Sequence, residues 1–227
     1  MSEPIFAEAR AQQEALRSRV VTVDDHLAVV TAAGLDVAYD PASDRAAAAI
    51  VVLDVATLAR VDAAVVTGRA TFPYAPGLLA FREVPLLTEA YEQLTHAPDL
   101  LVCDGHGIAH PRRIGLASHL GVLLDRPSVG VAKTPYLGEH APLGERRGAS
   151  ADIVDGGEVI GRALRTRDGV APVYVSVRHR VALDTACALV LRLAPRYRQP
   201  ETTRQADSAS RAALKRLLAD VRGDGAG

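Results

Sequence analysis

Residues 28–69 decide the fold: AVVTAAGLDVAY (28–39), AAAAIVVLDV (46–55) and VDAAVVTGR (61–69). The first and third segments alternate apolar and polar residues in places, as half-buried strands do, while the second is an almost unbroken apolar run expected of a strand covered on both faces. Asp40-Pro41-Ala42-Ser43-Asp44 and the residues around Leu58–Arg60 are short, turn-like links. A parallel crossover needs about a dozen residues or more, so these three strands are expected to form an antiparallel meander.

Outward from that block the rhythm changes. Upstream, residues 5–20 place Ile5, Phe6, Ala9 and Leu16 at helical spacing among Glu, Gln and Arg, which predicts an amphipathic helix. Downstream, a Pro/Gly loop (Phe72–Gly77) precedes a helix expected over Pro85–Thr95. A compact strand follows at Asp99–Cys103, then a Gly-rich loop, a helix at Ile114–Leu124 and a strand at Ser128–Ala132. Strands alternating with helices imply parallel pairing. Pro135–Ala151 is the least regular stretch. Strands at Val159–Arg165 and Val173–Val177 and helices at Leu183–Leu193 and Thr203–Val221 follow, and Gly223–Gly227 reads as a frayed tail. The expectation is one α/β domain over residues 1–227, in the βββαβαβ order of ribonuclease H-like folds.

Composition narrows the class. The 227 residues are 48% hydrophobic and 23% charged, and no apolar run approaches the roughly 20 residues that span a bilayer. Aromatic residues are only 4%, with no Trp, so the core must be built from Val, Leu, Ile and Ala. A net charge of −1 gives no global basic signal, and a nucleic-acid enzyme of this balance needs a local positive surface. Two isolated cysteines, Cys103 and Cys187, form no disulfide framework and read as buried thiols. With no basic, apolar leader after Met1-Ser2-Glu3-Pro4, a cytoplasmic location is expected.

Three acidic residues stand out. Asp36 interrupts the first strand, Asp104 ends a buried strand at the edge where α/β sheets place ligands, and Glu83 follows the Pro/Gly loop. Burying a carboxylate is costly unless it pairs or binds a cation. Converging, the three would make an oxygen-donor site for a hard divalent ion acting on a phosphodiester. Taken singly, Asp36 equally reads as a strand end or an Arg partner, Asp104 as a turn former before Gly105, and Glu83 as a helix-start charge. Lys133, at the end of Val129–Ala132, reads either as a snorkelling surface cation or as a partner for a phosphate. Arg112 and Arg113, in the Asp104–Arg113 segment, suit phosphates. Cys103, His106, His110 and His119 raise zinc as an alternative, but Gly107 and Pro111 break the helix that would align them, and no standard ligand spacing appears.

Several segments resemble endonuclease V in the family's order. They are Gly34–Tyr39, Pro73–Glu83, Asp104–Gly107 with His110–Arg113, Gly115–His119, Gly130–Lys133 and Pro200–Asp207. The resemblance implies an RNase H-like fold and a Mg²⁺ site at Asp36 and Asp104, with Mn²⁺ as a substitute and Glu83 and Asp207 as further acidic partners. Lys133 matches the family's active-site lysine and Tyr74 its aromatic wedge. Gly77, Leu79, Gly105, Gly107, Gly115 and Leu116 match loops around a flipped hypoxanthine; a damaged base is among the cheapest to unstack. The implied partner is DNA containing deoxyinosine, cut one nucleotide beyond the lesion on its 3′ side to leave a 3′-hydroxyl and a 5′-phosphate, by a protein expected to be monomeric. Inosine-containing RNA, or the substrate of another RNase H-like nuclease, is the alternative. The chain departs from the family at Arg178, where Gly usually precedes His, so no role carries over to His179.

Overall fold

The computed structural model describes residues 2–24 and 28–224. Helix α1 (Ser2–Arg17) leads into strands β1 (Thr31–Tyr39), β2 (Arg45–Asp54) and β3 (Arg60–Arg69), which pair antiparallel, as their short links require, with a register shift between β2 and β3 at Val52/Leu53. Helix α2 (Leu79–Glu92), β4 (Leu100–Cys103), α3 (Leu116–Leu124) and β5 (Ser128–Ala132) follow. β4 lies between β1 and β5 and is parallel to both. The remaining elements are β6 (Glu139–His140), β7 (Ser150–Asp155), β8 (Glu158–Leu164), β9 (Val173–His179), α4 (Leu183–Leu193) and α5 (Glu201–Asp224). The nine strands form one mixed sheet in the order β3-β2-β1-β4-β5-β9-β8-β7-β6. This is the RNase H-like mixed sheet expected, an antiparallel start followed by the parallel β4 and β5, with helices on both faces. Beyond β5 the sheet departs from the expected parallel run, β9, β8, β7 and β6 joining antiparallel.

The apolar run of β2 is explained by that sandwiching. Ala46, Ala48, Ile50 and Val52 pack with α2 and α3, whereas Ala47, Val51 and Leu53 pack with α5. Successive strand residues point to opposite faces, so a strand covered on both sides must be apolar throughout. Val129, Val131, Val173 and Val175 meet Cys187, Val190 and Leu193 of α4 in a further cluster.

Three further expectations need correction. α2 begins at Leu79, not Pro85, and Pro85 sits inside the helix on its exposed side. There the Phe81 carbonyl that loses its intrahelical donor lies toward solvent. β6 and β7 occupy part of the stretch read as irregular. The missed signal is Asp155-Gly156-Gly157-Glu158, where Gly156 (φ 59°) and Gly157 (φ 84°) make the β7–β8 hairpin turn. Lastly, α5 runs to Asp224, past the start of the tail expected at Gly223–Gly227, of which residues 225–227 lie outside the described residues.

Candidate active site

Strand register builds the acidic edge. Leu35 of β1 pairs with Cys103, the last residue of the parallel β4, so Asp104, just past the end of β4, lies beside Asp36, which is still within β1 and paired with Ala49 of β2. Cys103 also pairs with Gly130 of β5, and three residues later Lys133 reaches back, Nζ to Asp104 Oδ2 at 2.6 Å. From the face below, α5 brings Asp207 and Ser210 to the same edge, and Ser210 Oγ donates to Asp36 Oδ2 at 2.5 Å. α5 can seat here because residue 34 is glycine: a Cβ on Gly34 would lie 2.0 Å from the Thr202 carbonyl oxygen. From the other face α2 supplies Glu83, which is 8% exposed.

These carboxylates feel one another. Burial raises the Asp36 carboxyl above its ordinary range, and the charges of Asp207 and Asp104 add to the rise; the Ser210 hydrogen bond and Lys133 oppose it. Burial, then the charges of Asp36 and Asp104, push Glu83 up to about 8. Among the described residues, no three acidic, His or Cys side chains converge closely enough to enclose a metal by themselves. The donor set at Asp36 and Asp104 is all oxygen, and the surplus of like charge is what a hard divalent ion relieves while keeping several waters of its own. The residues fit such an ion.

Two concavities flank the edge. A groove of about 680 Å³ holds Asp36, Lys133 and Asp207 and runs along α5 past Arg211, which pairs with Asp207 at 2.8 Å, and Lys215, so its lining mixes both signs of charge. A cavity of about 200 Å³ lies between the 74–80 segment and the loop after β4. Tyr74, Gly77, Leu79, Gly105, Gly115 and Leu116 all line it, together with Gln13, His106, His110 and Tyr136. Tyr74 is 71% exposed. Gly107 does not line this cavity: its N–H donates to Ser176 Oγ at 3.2 Å and its carbonyl accepts from Gly115 N–H at 2.8 Å. Glycine at 115 is required by packing, since a Cβ there would lie 2.3 Å from the His106 carbonyl oxygen. At Gly105 a Cβ would meet only Leu116, at ordinary contact distance, so the protein's own packing does not demand glycine there.

Other expected residues are committed elsewhere. Arg112 donates from Nη2 to the Gly77 carbonyl at 2.7 Å and from Nε to Gln13 Oε1 at 2.5 Å. Arg113 bridges Asp155 (2.7 Å) and Glu158 (2.8 Å). The reading of both as phosphate ligands is therefore replaced by structural roles. Cys103 is buried in β4, His110 contacts the Gly77 carbonyl, and His119 packs edge-on against Phe81 with ring centroids 5.2 Å apart, so the zinc alternative assembles no site among the described residues. His179 accepts at Nδ1 from Val21 N–H and faces Asp125; the Arg178 side chain lies outside what is described. Gln13 and Ser210 were missed by sequence reasoning, because a polar residue on an amphipathic helix looks solvated until its tertiary partner is known.

An RNase H-like sheet with carboxylates and a lysine gathered at the carboxyl ends of its parallel strands defines a nuclease. The family described as Endonuclease V matches residues 14–208. Endonuclease V of Streptomyces coelicolor is 55% identical over 209 residues, covering 91% of this chain and 90% of the relative. The crystal structure of the Streptomyces avermitilis endonuclease V superposes with a TM-score of 0.89 at 52% identity, covering 93% of this chain and 94% of that one. The catalytic domain of human endonuclease V gives 0.90 at 36%, covering 96% and 99%. A Ciona intestinalis endonuclease V, solved in complex with a 24mer DNA containing an inosine followed by a ribo-adenosine, gives 0.80 at 28%, covering 95% and 100%. The chain belongs to the endonuclease V family and is an endonuclease. No helix among its described residues is long and apolar enough to cross a membrane.

Proposed function

We propose that this protein is a Mg²⁺-dependent repair endonuclease that cuts DNA 3′ to deoxyinosine, one nucleotide beyond the lesion, working as one endonuclease V-like domain over residues 1–227. The observation that carries the reading is the adjacency, through Asp104-Gly105, of a glycine-lined cavity and the acidic edge. A base held against Gly105, Gly115 and Leu116 leaves its strand passing Asp36, Asp104 and Lys133, and an inosine-containing DNA is what the Ciona relative was solved with.

Tyr74, at the cavity, takes the stacking place of the extruded base, and Gly105 leaves room for a close approach by the ring. Asp36 and Asp104 hold the Mg²⁺, for which Mn²⁺ substitutes. Asp207 adds negative charge around it, and Glu83, whose carboxyl is pushed up to about 8 by burial and its acidic neighbours, would ionise as the cation's charge offsets theirs. When bound, that ion supplies charge neutralisation at the scissile phosphate and activation of the attacking water. Water adds to phosphorus, the P–O3′ bond breaks, and the products carry a 3′-hydroxyl and a 5′-phosphate. Lys133, already beside Asp104, donates to phosphate oxygen as charge develops there. Buried reduced Cys103 and Cys187 suit a cytoplasmic setting.

The test is cleavage of matched DNA and RNA oligonucleotides, each with inosine or adenosine at one position, across Mg²⁺ concentrations. Nicking of the inosine DNA alone, 3′ to the lesion, is the expected result. Preferential cutting of inosine RNA would move the substrate to that alternative, and equal cutting of adenosine strands would overturn the reading.

A further inference from the structure

We propose that Gln13 of α1 is a positioning residue that, together with Arg112 and His110, latches the Gly77 carbonyl and so holds the Tyr74 loop against the cavity. The proposal rests on reading that cavity as the base pocket.

Most of α1 faces solvent, yet Gln13 is fully buried. A buried amide is tolerated only when its polar atoms are bonded, and this one is well supplied. Its Nε2 donates to the Gly77 carbonyl at 3.0 Å and to the Ile114 carbonyl at 3.2 Å, while its Oε1 accepts from Arg112 Nε at 2.5 Å. One side chain thus ties together the two walls of the cavity: Gly77 from the Tyr74 side, and Ile114, next to Gly115 and Leu116, from the other.

The Gly77 carbonyl is the convergence point. Besides Gln13 it receives Arg112 Nη2 at 2.7 Å and His110 Nε2 at 3.0 Å. His110 Nδ1 accepts the Arg112 backbone N–H at 3.2 Å, which assigns the imidazole proton to Nε2 and makes it a donor to Gly77. Three donors from two elements meet one carbonyl oxygen three residues after Tyr74. The backbone there has φ +76°, and a Cβ on Gly77 would lie 2.8 Å from Arg112 Nη2, so the clasp closes only around glycine. The hydrogen bonds of Gln13 go to Gly77, Ile114 and Arg112, whereas the Asp36 side chain is held by Ser210 and those of Asp104 and Lys133 by each other. The loss of Gln13 is therefore expected to loosen the loop and the pocket while leaving the reacting end in place.

The chain contains no Trp, so Tyr74→Trp installs a single fluorescent reporter on the loop. Adding Gln13→Met, which keeps the volume and removes the hydrogen bonds, should lower the residual anisotropy of that Trp in the free protein. Arg112→Lys, which keeps the charge and loses the fork, should do the same from the other side of the clasp. In the otherwise unaltered chain, Gln13→Met should raise KM for an inosine strand about tenfold, the scale of one net hydrogen bond to a charged group. The single-turnover rate at saturating protein should stay within about twofold of the parent. Unchanged anisotropy in both variants overturns the latch, as does a loss confined to the saturated rate. A parent protein that nicks no inosine strand would overturn the substrate reading instead, and the anisotropy would then decide the latch by itself.

Discussion

Ser210 Oγ donates to Asp36 Oδ2 at 2.5 Å, so the last helix grips a carboxylate that the first strand contributed 174 residues earlier. The hydroxyl sits fully buried between β1 and α5 and fixes the rotamer of Asp36 at the acidic edge. Ser210→Ala removes a hydrogen bond to a charged group, worth about 1.5–3 kcal/mol. The expected outcome is a folded enzyme that needs about tenfold more Mg²⁺ for half-maximal nicking and recovers its rate at saturation. A titration curve that superposes on the parent's would show that Asp36 needs no such support.

Asp104→Ala should abolish nicking and spare binding. It removes one of two proposed ligands and leaves Lys133 without its 2.6 Å partner. Mg²⁺ demands near-octahedral oxygen geometry and tolerates the loss of a ligand poorly. Affinity for the strand is expected to hold or rise, because a negative charge beside the phosphates has gone and a cation has been released. Nicking in Mg²⁺ and gel shift in Ca²⁺ separate the two effects, and near-parental nicking would remove Asp104 from the site.

Asp36 and Asp104 were legible in the sequence because strands are local signals, and a polar residue breaking or ending one is conspicuous. Their adjacency was not, since it depends on the Leu35–Cys103 register, which two separate strands settle only on pairing. Arg112 and Arg113 show the opposite case. Their charge suggested phosphates, but Gln13 and Gly77 take the one and Asp155 and Glu158 the other. Those acidic partners belong to the β7–β8 hairpin, whose first strand went unread, so the sequence offered no reason to pair them. Asp207 stood out only through the family resemblance, because on a helix it looks like any solvated carboxylate.

Tyr74→Ala should reduce discrimination more than turnover. The ring is exposed in the free protein, so its loss takes little from the core. Stacking of a base on an aromatic side chain contributes about 1–3 kcal/mol, roughly fivefold to 150-fold in affinity. Dissociation constants for inosine and adenosine duplexes, measured in Ca²⁺, check the prediction; equal selectivity in mutant and parent would end the wedge role.

His119 makes stability depend on acid. Burial holds its imidazole down at about 4, against an ordinary 6.5, and its Nδ1 has no hydrogen-bond partner among the described residues. The folded protein therefore favours the neutral ring, while the unfolded chain takes up a proton as pH falls below 6.5. The contribution is fully present above pH 6.5, shrinks as pH drops through that value, and is gone below about 4. A shift of this size corresponds to about 3 kcal/mol. Urea unfolding of the parent and His119→Leu between pH 4 and 7 should show the parent losing stability relative to the variant by that order. Parallel pH profiles would contradict it.

Gly34→Ala tests how the site is assembled rather than any group that touches substrate. Gly34 and Asp36 are two residues apart on β1 and so share a face, the one covered by α5. At Gly34 the helix backbone comes so close that a methyl group would stand 2.0 Å from Thr202 O, 2.1 Å from Thr202 C and 2.6 Å from Thr203 N. Backbone atoms cannot swing aside as a side-chain end can, so α5 as a whole must lift. Overpacking of this kind costs about 1–3 kcal/mol, and a thermal midpoint lowered accordingly is the first expected result. The second is functional: a lifted α5 withdraws Ser210 from Asp36 and Asp207 from the edge, so nicking by the folded variant should need more Mg²⁺ than the parent, as with Ser210→Ala. Combining the two substitutions should add little to the Mg²⁺ requirement, because both act through the same contact. A Gly34→Ala protein with parental stability and Mg²⁺ dependence would show that α5 does not rest on β1 as described.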